Sequence, residues 1–197
     1  MADRIASSRA FISAWRGAGA QGAQSSFFKP AVLAISETLR TWLHQHGFPL
    51  NDLDATRDNR TTPLMHAARF GRADLISELL QLGANHQARN ADGNNALWLA
   101  CFNGDPASIK TLLDAGIDID NCNDHGSTCL MYAVSSGKPE VVALLLAAHA
   151  DAGLENLDGY TALDMAATPE CLYLLRKAAH CAEPEPVETL ETMDGEL

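Results

Sequence analysis

The sequence predicts an all-α solenoid, because the residues that begin, end and pack helices return at a constant interval. Glycines recur with a sequence spacing of 33 in two series, Gly71, Gly104, Gly137 and Gly93, Gly126, Gly159. Paired leucines recur at the same spacing, at positions 79–80, 112–113 and 145–146. A unit this short cannot bury a hydrophobic face alone, so neighbouring units must stack and share one core. Such stacks present extended binding surfaces, which makes a binding function the first expectation.

The chain begins with a basic arm over residues 1–29, where four basic residues and one acidic residue give a net charge of +3. Its Gly, Ser and Ala content buries too little apolar surface to offset the entropy of ordering, so we expect a flexible arm. A capping helix and a linker follow at 30–53. Pro30 begins and Gly47 ends this predicted helix, whose apolar side consists of Val32, Ile35, Leu39, Trp42 and Leu43.

Each repeated unit begins with a short helix. Thr62 and Pro63 mark the first start, because a threonine hydroxyl caps free N–H groups and proline at the first helical position loses no hydrogen bond. The equivalent capping positions in the later units hold Asn95, Thr128 and Thr161. Small residues in this helix, such as Ala67 and Ala68, let a second helix approach closely.

The second helix of each unit follows a glycine such as Gly71, which can adopt the left-handed conformation that ends the first helix. It carries an apolar stripe of helical period, which in the first unit comprises Leu75, Ile76, Leu79 and Leu80. Between units, pairs such as Asp92-Gly93 predict tight hairpin turns with positive φ. Each unit therefore consists of a hairpin finger and two antiparallel helices.

The fourth unit is shorter than the others. Pro169 follows Pro139 at a spacing of 30 instead of 33, which predicts that the turn between its helices has lost part of its length. Its second helix is expected to run from Glu170 to Lys177 and to close the solenoid. Residues 178–197 carry six acidic residues and neither Lys nor Arg, and we expect them to form a disordered acidic tail.

This pattern resembles the ankyrin repeat, which reads D-x-x-G-x-T-P-L-H-x-A-A followed by a glycine, paired leucines and G-A-D. The resemblance covers residues 54–177 and implies four repeats, at about 57–89, 90–122, 123–155 and 156–177, the last truncated. Two departures are visible. Arg60 stands where the first hairpin glycine belongs, and the histidine after P-L is replaced by Met65, Trp98, Met131 and Asp164.

The resemblance also implies where a partner binds, namely on the hairpin tips and on the exposed side of the first helices, which together form a concave surface. By position, the first-helix candidates are Arg69, Phe70, Trp98, Phe102 and Asn103. The finger candidates are Asp92, Asn94, Asp124, His125, Asp158 and Tyr160. Exposed aromatic side chains are typical interface anchors. The alternative is that Phe70 and Phe102 fill gaps between adjacent first helices and that Trp98 is structural.

The aspartates of the fingers form a predicted acidic row. Asp92, Asp124 and Asp158 project from comparable turns, and such a row would steer a basic protein partner toward the fingers. The alternative is that aspartate is present only because it favours turns.

Composition excludes several classes of function. A net charge of −11 disfavours nucleic acid as a partner, because a nucleic-acid binder needs a cationic stripe. No apolar run approaches the roughly 18 residues that a membrane span requires. The five cysteines are an odd number without a CxxC pair, which favours reduced thiols in a cytoplasmic protein. The acid-poor start also has the composition of a transit peptide, the alternative to a plain arm.

The sequence shows no arrangement typical of catalysis. It contains neither G-x-S-x-G nor a P-loop, and the glycines at 17–22 follow no predicted strand. His44 and His46 are the nearest approach to a metal pair, but alternate residues of a helix point about 200° apart. His66 is expected to be a buried, hydrogen-bonded ring, with a pH-sensitive site as the alternative. We therefore expect no enzyme, no cofactor and no metal.

The predicted function is a monomeric, non-catalytic protein–protein interaction module, an adaptor or regulator in the cytoplasm. The alternative is a targeting or anchoring subunit whose basic N-terminal arm contacts a membrane or an import receptor, with the repeats as a rigid spacer. An enzyme is the third possibility and would require convergent polar groups.

Overall fold

The computed structural model describes residues 35–182, and this part of the chain contains eight α-helices and no β-strand. The predicted all-α fold is thus confirmed. The helices are α1 Glu37–Gln45, α2 Pro63–Arg69, α3 Ala73–Gln81, α4 Ala96–Asn103, α5 Pro106–Asp114, α6 Cys129–Ser135, α7 Pro139–Ala147 and α8 Pro169–Ala182. The basic arm at 1–29, on which the anchoring alternative depends, lies outside the described residues. No helix within 35–182 is long and apolar enough to cross a membrane.

The capping helix α1 begins at Glu37, after the start that the sequence predicted at Pro30, which lies outside the described residues. Ser36 has an extended backbone, and its hydroxyl accepts a hydrogen bond from the Leu39 N–H at 3.0 Å. The Ser36 N–H and hydroxyl also both donate to the carboxylate of Glu78 on α3, each over 2.6 Å. This serine therefore fixes the start of α1 and joins it to the first repeat.

The helices stack in two layers, in which each contacts only near neighbours. The first helices α2, α4 and α6 pack side by side, and the second helices α3, α5 and α7 do the same behind them. Each first helix also packs against the second helix of its own unit. Thr62, Asn95 and Thr128 cap the first helices, each through a side-chain oxygen that accepts an N–H three residues later. The predicted capping chemistry is confirmed at these three positions.

The core lies between the two layers and follows the repeat. The first leucine of each pair is fully buried, whereas the second is half-buried, as Leu112 and Leu113 illustrate. Fully buried alanines on the first helices, among them Ala67, Ala100 and Ala133, allow the helix layers to approach closely. Each unit thus supplies half of an apolar layer that its neighbour completes.

The fingers are built on an asparagine that returns at the same spacing as the glycines, at positions 90, 123 and 156. The side-chain oxygen of Asn90 accepts the N–H groups of Asp92 at 3.0 Å and Asn94 at 2.9 Å, and the other two asparagines make the same pair of bonds. One main-chain hydrogen bond joins each finger to the next, for example from the Asp124 N–H to the Asp92 carbonyl at 3.0 Å. The fingers therefore form a connected row.

The fourth unit differs from the predicted helix pair. Residues 162–165 form a turn instead of a first helix, and the carboxylate of Asp164 accepts the N–H of Thr161 at 2.9 Å and its hydroxyl at 2.6 Å. The missing residues shorten the segment between Thr161 and Pro169, which leaves no room for a helix and a turn. The final helix α8 continues to Ala182, past the end predicted at Lys177, because residues 178–182 include three alanines that favour helix. The rest of the predicted tail, 183–197, lies outside the described residues.

Candidate functional site

An aromatic strip, formed by Trp98 and Phe102 of α4 and Tyr132 of α6, crosses the first helices. The ring centroids lie 6.5 Å apart for Trp98 and Phe102, 4.6 Å for Trp98 and Tyr132, and 6.0 Å for Phe102 and Tyr132. The strip spans two repeats because α4 and α6 pack side by side. Phe102 remains 46% exposed. The side chains thus form a continuous apolar surface that solvent reaches.

Two cations flank the aromatic strip. The guanidinium carbon of Arg69 lies 5.8 Å from the centre of the Phe102 ring, and Lys138 Nζ lies 5.8 Å from the same ring and 5.3 Å from that of Tyr132. Lys138 Nζ also donates to the main-chain carbonyls of Cys101 and Phe102, where the dipole of α4 favours a positive charge. An anion that approaches the strip therefore meets positive charge on both sides.

Phe70 belongs to a second group of rings, the histidine cluster, which comprises Trp42, His46, Phe48, His66 and Phe70. His66 Nε2 lies 2.9 Å from His46 Nδ1, so His46 pairs with His66 instead of His44. Burial lowers the pKa of His66 to about 4, and the charges of His46, Arg69 and Arg57 contribute to the same shift. Phe70 packs 4.8 Å from the His66 ring and stays 55% exposed.

A groove of about 720 Å³ joins the histidine cluster to the aromatic strip. Its lining includes His46, Arg57, His66, Asn94, Trp98 and Phe102. Two buried polar atoms in this lining, Asn94 Oδ1 and Trp98 Nε1, have no hydrogen-bond partner among the described residues. Buried polar atoms almost always have a partner, so this pair is unusual. The volume falls within the range of ligand sites in proteins.

The tips of the fingers carry acidic and aromatic side chains, and of these tip residues Asp92 lines the groove. Asp92, Asp124 and Asp158 are exposed at their tips, as are His125 and Tyr160. The carboxylate of Asp92 accepts a hydrogen bond from Asn59 of the preceding finger at 2.6 Å. The main-chain bonds between fingers hold these side chains in one row, so the tips are positioned together.

Among the predicted first-helix residues, the structure brings Arg69, Trp98 and Phe102 together. Asn103 is adjacent and exposed, and its side-chain amide donates to the Arg69 carbonyl at 3.1 Å, which links two first helices. Asn94 was predicted at an exposed tip, but it is only 5% exposed. Its main-chain N–H donates to the side chain of Asn90, so it closes the base of the finger with its side chain inside.

Sequence reasoning missed Tyr132, Lys138, His46 and Arg57. A signal existed for Tyr132, because His66, Leu99 and Tyr132 are separated by the repeat spacing and share one face of successive first helices. No repeat signal exists for His46, which lies in the capping segment. Within residues 35–182, no group of three or more His, Cys, Asp or Glu side chains converges as a metal site would require.

Comparison with models of protein families gave one match, to ankyrin repeats in three copies. The match covers residues 32–123 and 109–184, which together make up more than half of the chain. No curated protein matches the sequence.

Proposed function

Since the chain belongs to the ankyrin repeat family, whose members generally bind other proteins, we propose that it is a non-catalytic adaptor or regulator in the cytoplasm. A protein partner lies across the concave face formed by the first helices and the fingers. The family resemblance seen in the sequence is confirmed by the match. Cys101, Cys122, Cys129 and Cys171, which are free thiols in the described part of the chain, support a reducing compartment.

The observation that carries this proposal is the exposure of Phe102 within the aromatic strip. A phenylalanine that is nearly half exposed, beside two further aromatic rings, leaves apolar area in water that a partner would cover. Aromatic residues are enriched among the few that dominate binding energy. The side chains of the strip are already packed against one another, so little conformational entropy is lost on association.

The acidic tips of the fingers support a partner with a basic surface around the anchor. Asp92, Asp124 and Asp158 lie in one row, and charges of one sign in a row accelerate encounter with the opposite sign. Rim charges of this kind affect the association rate more than the affinity.

The test is a double substitution, Phe70→Ala with Phe102→Ala, in the full chain. Both rings are half exposed, so we expect loss of partner capture from an extract of the native host while the helical circular dichroism and the melting temperature stay nearly unchanged. Tyr173→Ala is the matched control, because Tyr173 is an aromatic residue on α8 that is 65% exposed. Unchanged capture by the double variant would contradict the proposal, and loss of folding would show that the two rings belong to the core.

A further inference from the structure

We propose that the groove binds an extended peptide segment in which a carboxylate stands next to a bulky apolar side chain. This inference rests on the proposed function and names the chemistry of the partner's anchor. The sequence alone favoured a basic partner, and the basic residues expected near the fingers would then flank this acidic anchor.

The charges beside the aromatic strip favour a carboxylate. Arg69 and Lys138 both lie over the strip, whereas the acidic residues of the groove lining, Asp58 and Asp92, belong to the fingers. Arg57 also lines the groove, but it already donates to the His46 carbonyl. A planar guanidinium binds a carboxylate through two parallel hydrogen bonds, so Arg69 is suited to hold an Asp or Glu side chain. Lys138 is already engaged by two helix carbonyls and would contribute mainly its charge.

The apolar part of the segment would pack on the strip itself. The exposed part of Phe102 lies close to the Arg69 guanidinium, so an apolar side chain on the ring places a neighbouring carboxylate within reach of Arg69. The half-exposed ring of Phe70 lies beside the groove, 4.8 Å from the ring of His66 in the groove lining, and offers a second apolar surface there. A segment that contacts both Phe102 and Arg69 must therefore carry an apolar residue and an acidic residue close together in its sequence.

The unpartnered polar atoms of the groove favour a peptide backbone. Asn94 Oδ1 is an acceptor and Trp98 Nε1–H is a donor, and neither has a partner in the described part of the chain. A peptide group offers the complement of both, an N–H for the asparagine and a carbonyl for the tryptophan. Both residues line the groove, although the two atoms themselves are buried, so each side chain must turn slightly toward the segment to form its bond.

The experiment is selection of random peptides displayed on phage against the full chain. We expect the enriched peptides to carry Asp or Glu within two positions of Phe, Trp, Leu or Ile. A selected peptide is then synthesised with a fluorescent label, together with a copy in which the acidic residue is Lys. We expect fluorescence anisotropy to show at least tenfold weaker binding of the Lys copy.

A charge reversal provides the decisive comparison. Arg69→Glu should weaken the binding of the acidic peptide at least tenfold and strengthen the binding of its Lys copy. Arg176→Glu on α8 makes the same change at an exposed position away from the groove and should alter neither affinity. Circular dichroism of both variants shows whether the fold is retained.

The outcomes separate this inference from the proposed function. Enriched peptides that carry Lys or Arg beside the apolar residue, and that lose affinity on Phe102→Ala, would overturn the inference and leave the proposed function standing. Peptides that bind the Phe70→Ala and Phe102→Ala double variant as tightly as the natural chain would contradict both. A selection without enrichment would overturn the inference and leave the proposed function standing. A synthetic copy of residues 183–197 is measured beside the selected peptides. Tighter binding of this copy than of any selected peptide would assign the groove to the acidic segment of this chain and overturn the proposal of an external partner.

Discussion

His66 Nε2 and His46 Nδ1 lie 2.9 Å apart, joined by one hydrogen bond between the first repeat and the end of the capping helix. The bond needs one ring to accept, so at least one imidazole must be neutral. Trp42 and Phe48 pack around the pair, 5.5 Å and 5.6 Å from the His66 ring. The attachment of the capping helix therefore depends on the protonation of a histidine pair.

We predict that this pair makes stability fall in mild acid. The pKa of His66 is lowered from 6.5 to about 4 in the folded chain, so the unfolded chain binds more protons between these values. Stability should be full above pH 6.5 and decline as the pH falls toward 4. Between pH 7 and pH 5 the natural chain should lose about 1 kcal/mol more of its free energy of unfolding than His66→Leu, a figure reduced for solvent screening. The substitution copies Leu99 at the equivalent position.

Urea unfolding of the natural chain and of His66→Leu at both pH values measures this difference. His44→Gln is the control, since His44 is exposed, and it should behave like the natural chain. An equal loss of stability in the natural chain and in His66→Leu would refute a role for the pair.

We predict that the spacing of the fingers, and not only their turn geometry, requires a glycine at position 93. Gly93 and Gly159 both have φ of 79°, but a Cβ on Gly93 would lie 2.9 Å from the Asp124 main-chain nitrogen, whereas nothing lies within 4 Å of one on Gly159. Gly159→Ala should cost about 1 kcal/mol from strain at positive φ, and Gly93→Ala about 3 kcal/mol. Chemical denaturation compares the two directly, and equal costs would show that the close approach is unimportant.

We predict that Arg60→Gly stabilises the chain. Arg60 has φ of 55°, a conformation that is strained for a residue with a side chain, and the equivalent positions in later fingers are glycines. Relief of this strain should raise the free energy of unfolding by about 1 kcal/mol. This figure already allows for the glycine, which increases the conformational entropy of the unfolded chain and so offsets part of the gain. Arg60→Ala removes the same charge but keeps a Cβ, so only the glycine variant should melt at a higher temperature.

We predict unequal roles for the two leucines of each pair. Leu112 is fully buried between α5 and its neighbours, whereas Leu113 is half-buried. Leu112→Ala should cost about 3 kcal/mol because it leaves a cavity, and Leu113→Ala about 1 kcal/mol. Guanidinium unfolding monitored by circular dichroism measures both. A larger cost for Leu113 would mean that the helix faces are assigned incorrectly.

The repeats were predictable because their signals are local and recur in register. Each signal acts within one unit, whether it is the capping oxygen of Thr62, a helix-ending glycine or a buried leucine. The same residues at a constant spacing therefore predict the same helix pair in every unit. The prediction of a first helix in the fourth unit was wrong, because the missing residues were assigned to the turn between the helices alone. The start of α1 was also misplaced, since the contact of Ser36 with Glu78 joins residues far apart in sequence.

The candidate site was predictable only in part. Exposed positions such as Phe102 follow from the repeat, but the partners that surround them come from neighbouring units. The pairing of His66 with His46 depends on how the capping segment packs, for which the repeat provides no template. Asn94 was misjudged because its inward orientation follows from hydrogen bonds to Asn90 that hairpin propensity alone does not reveal.

Hydrogen–deuterium exchange of the full chain, with and without its captured partner, tests most directly the claim that binding occurs on the concave face. The partner should slow exchange in the fingers and first helices, at residues 57–70, 90–104 and 123–136, and leave the outer helices α3, α5 and α7 unchanged. Slower exchange confined to those outer helices would contradict the claim.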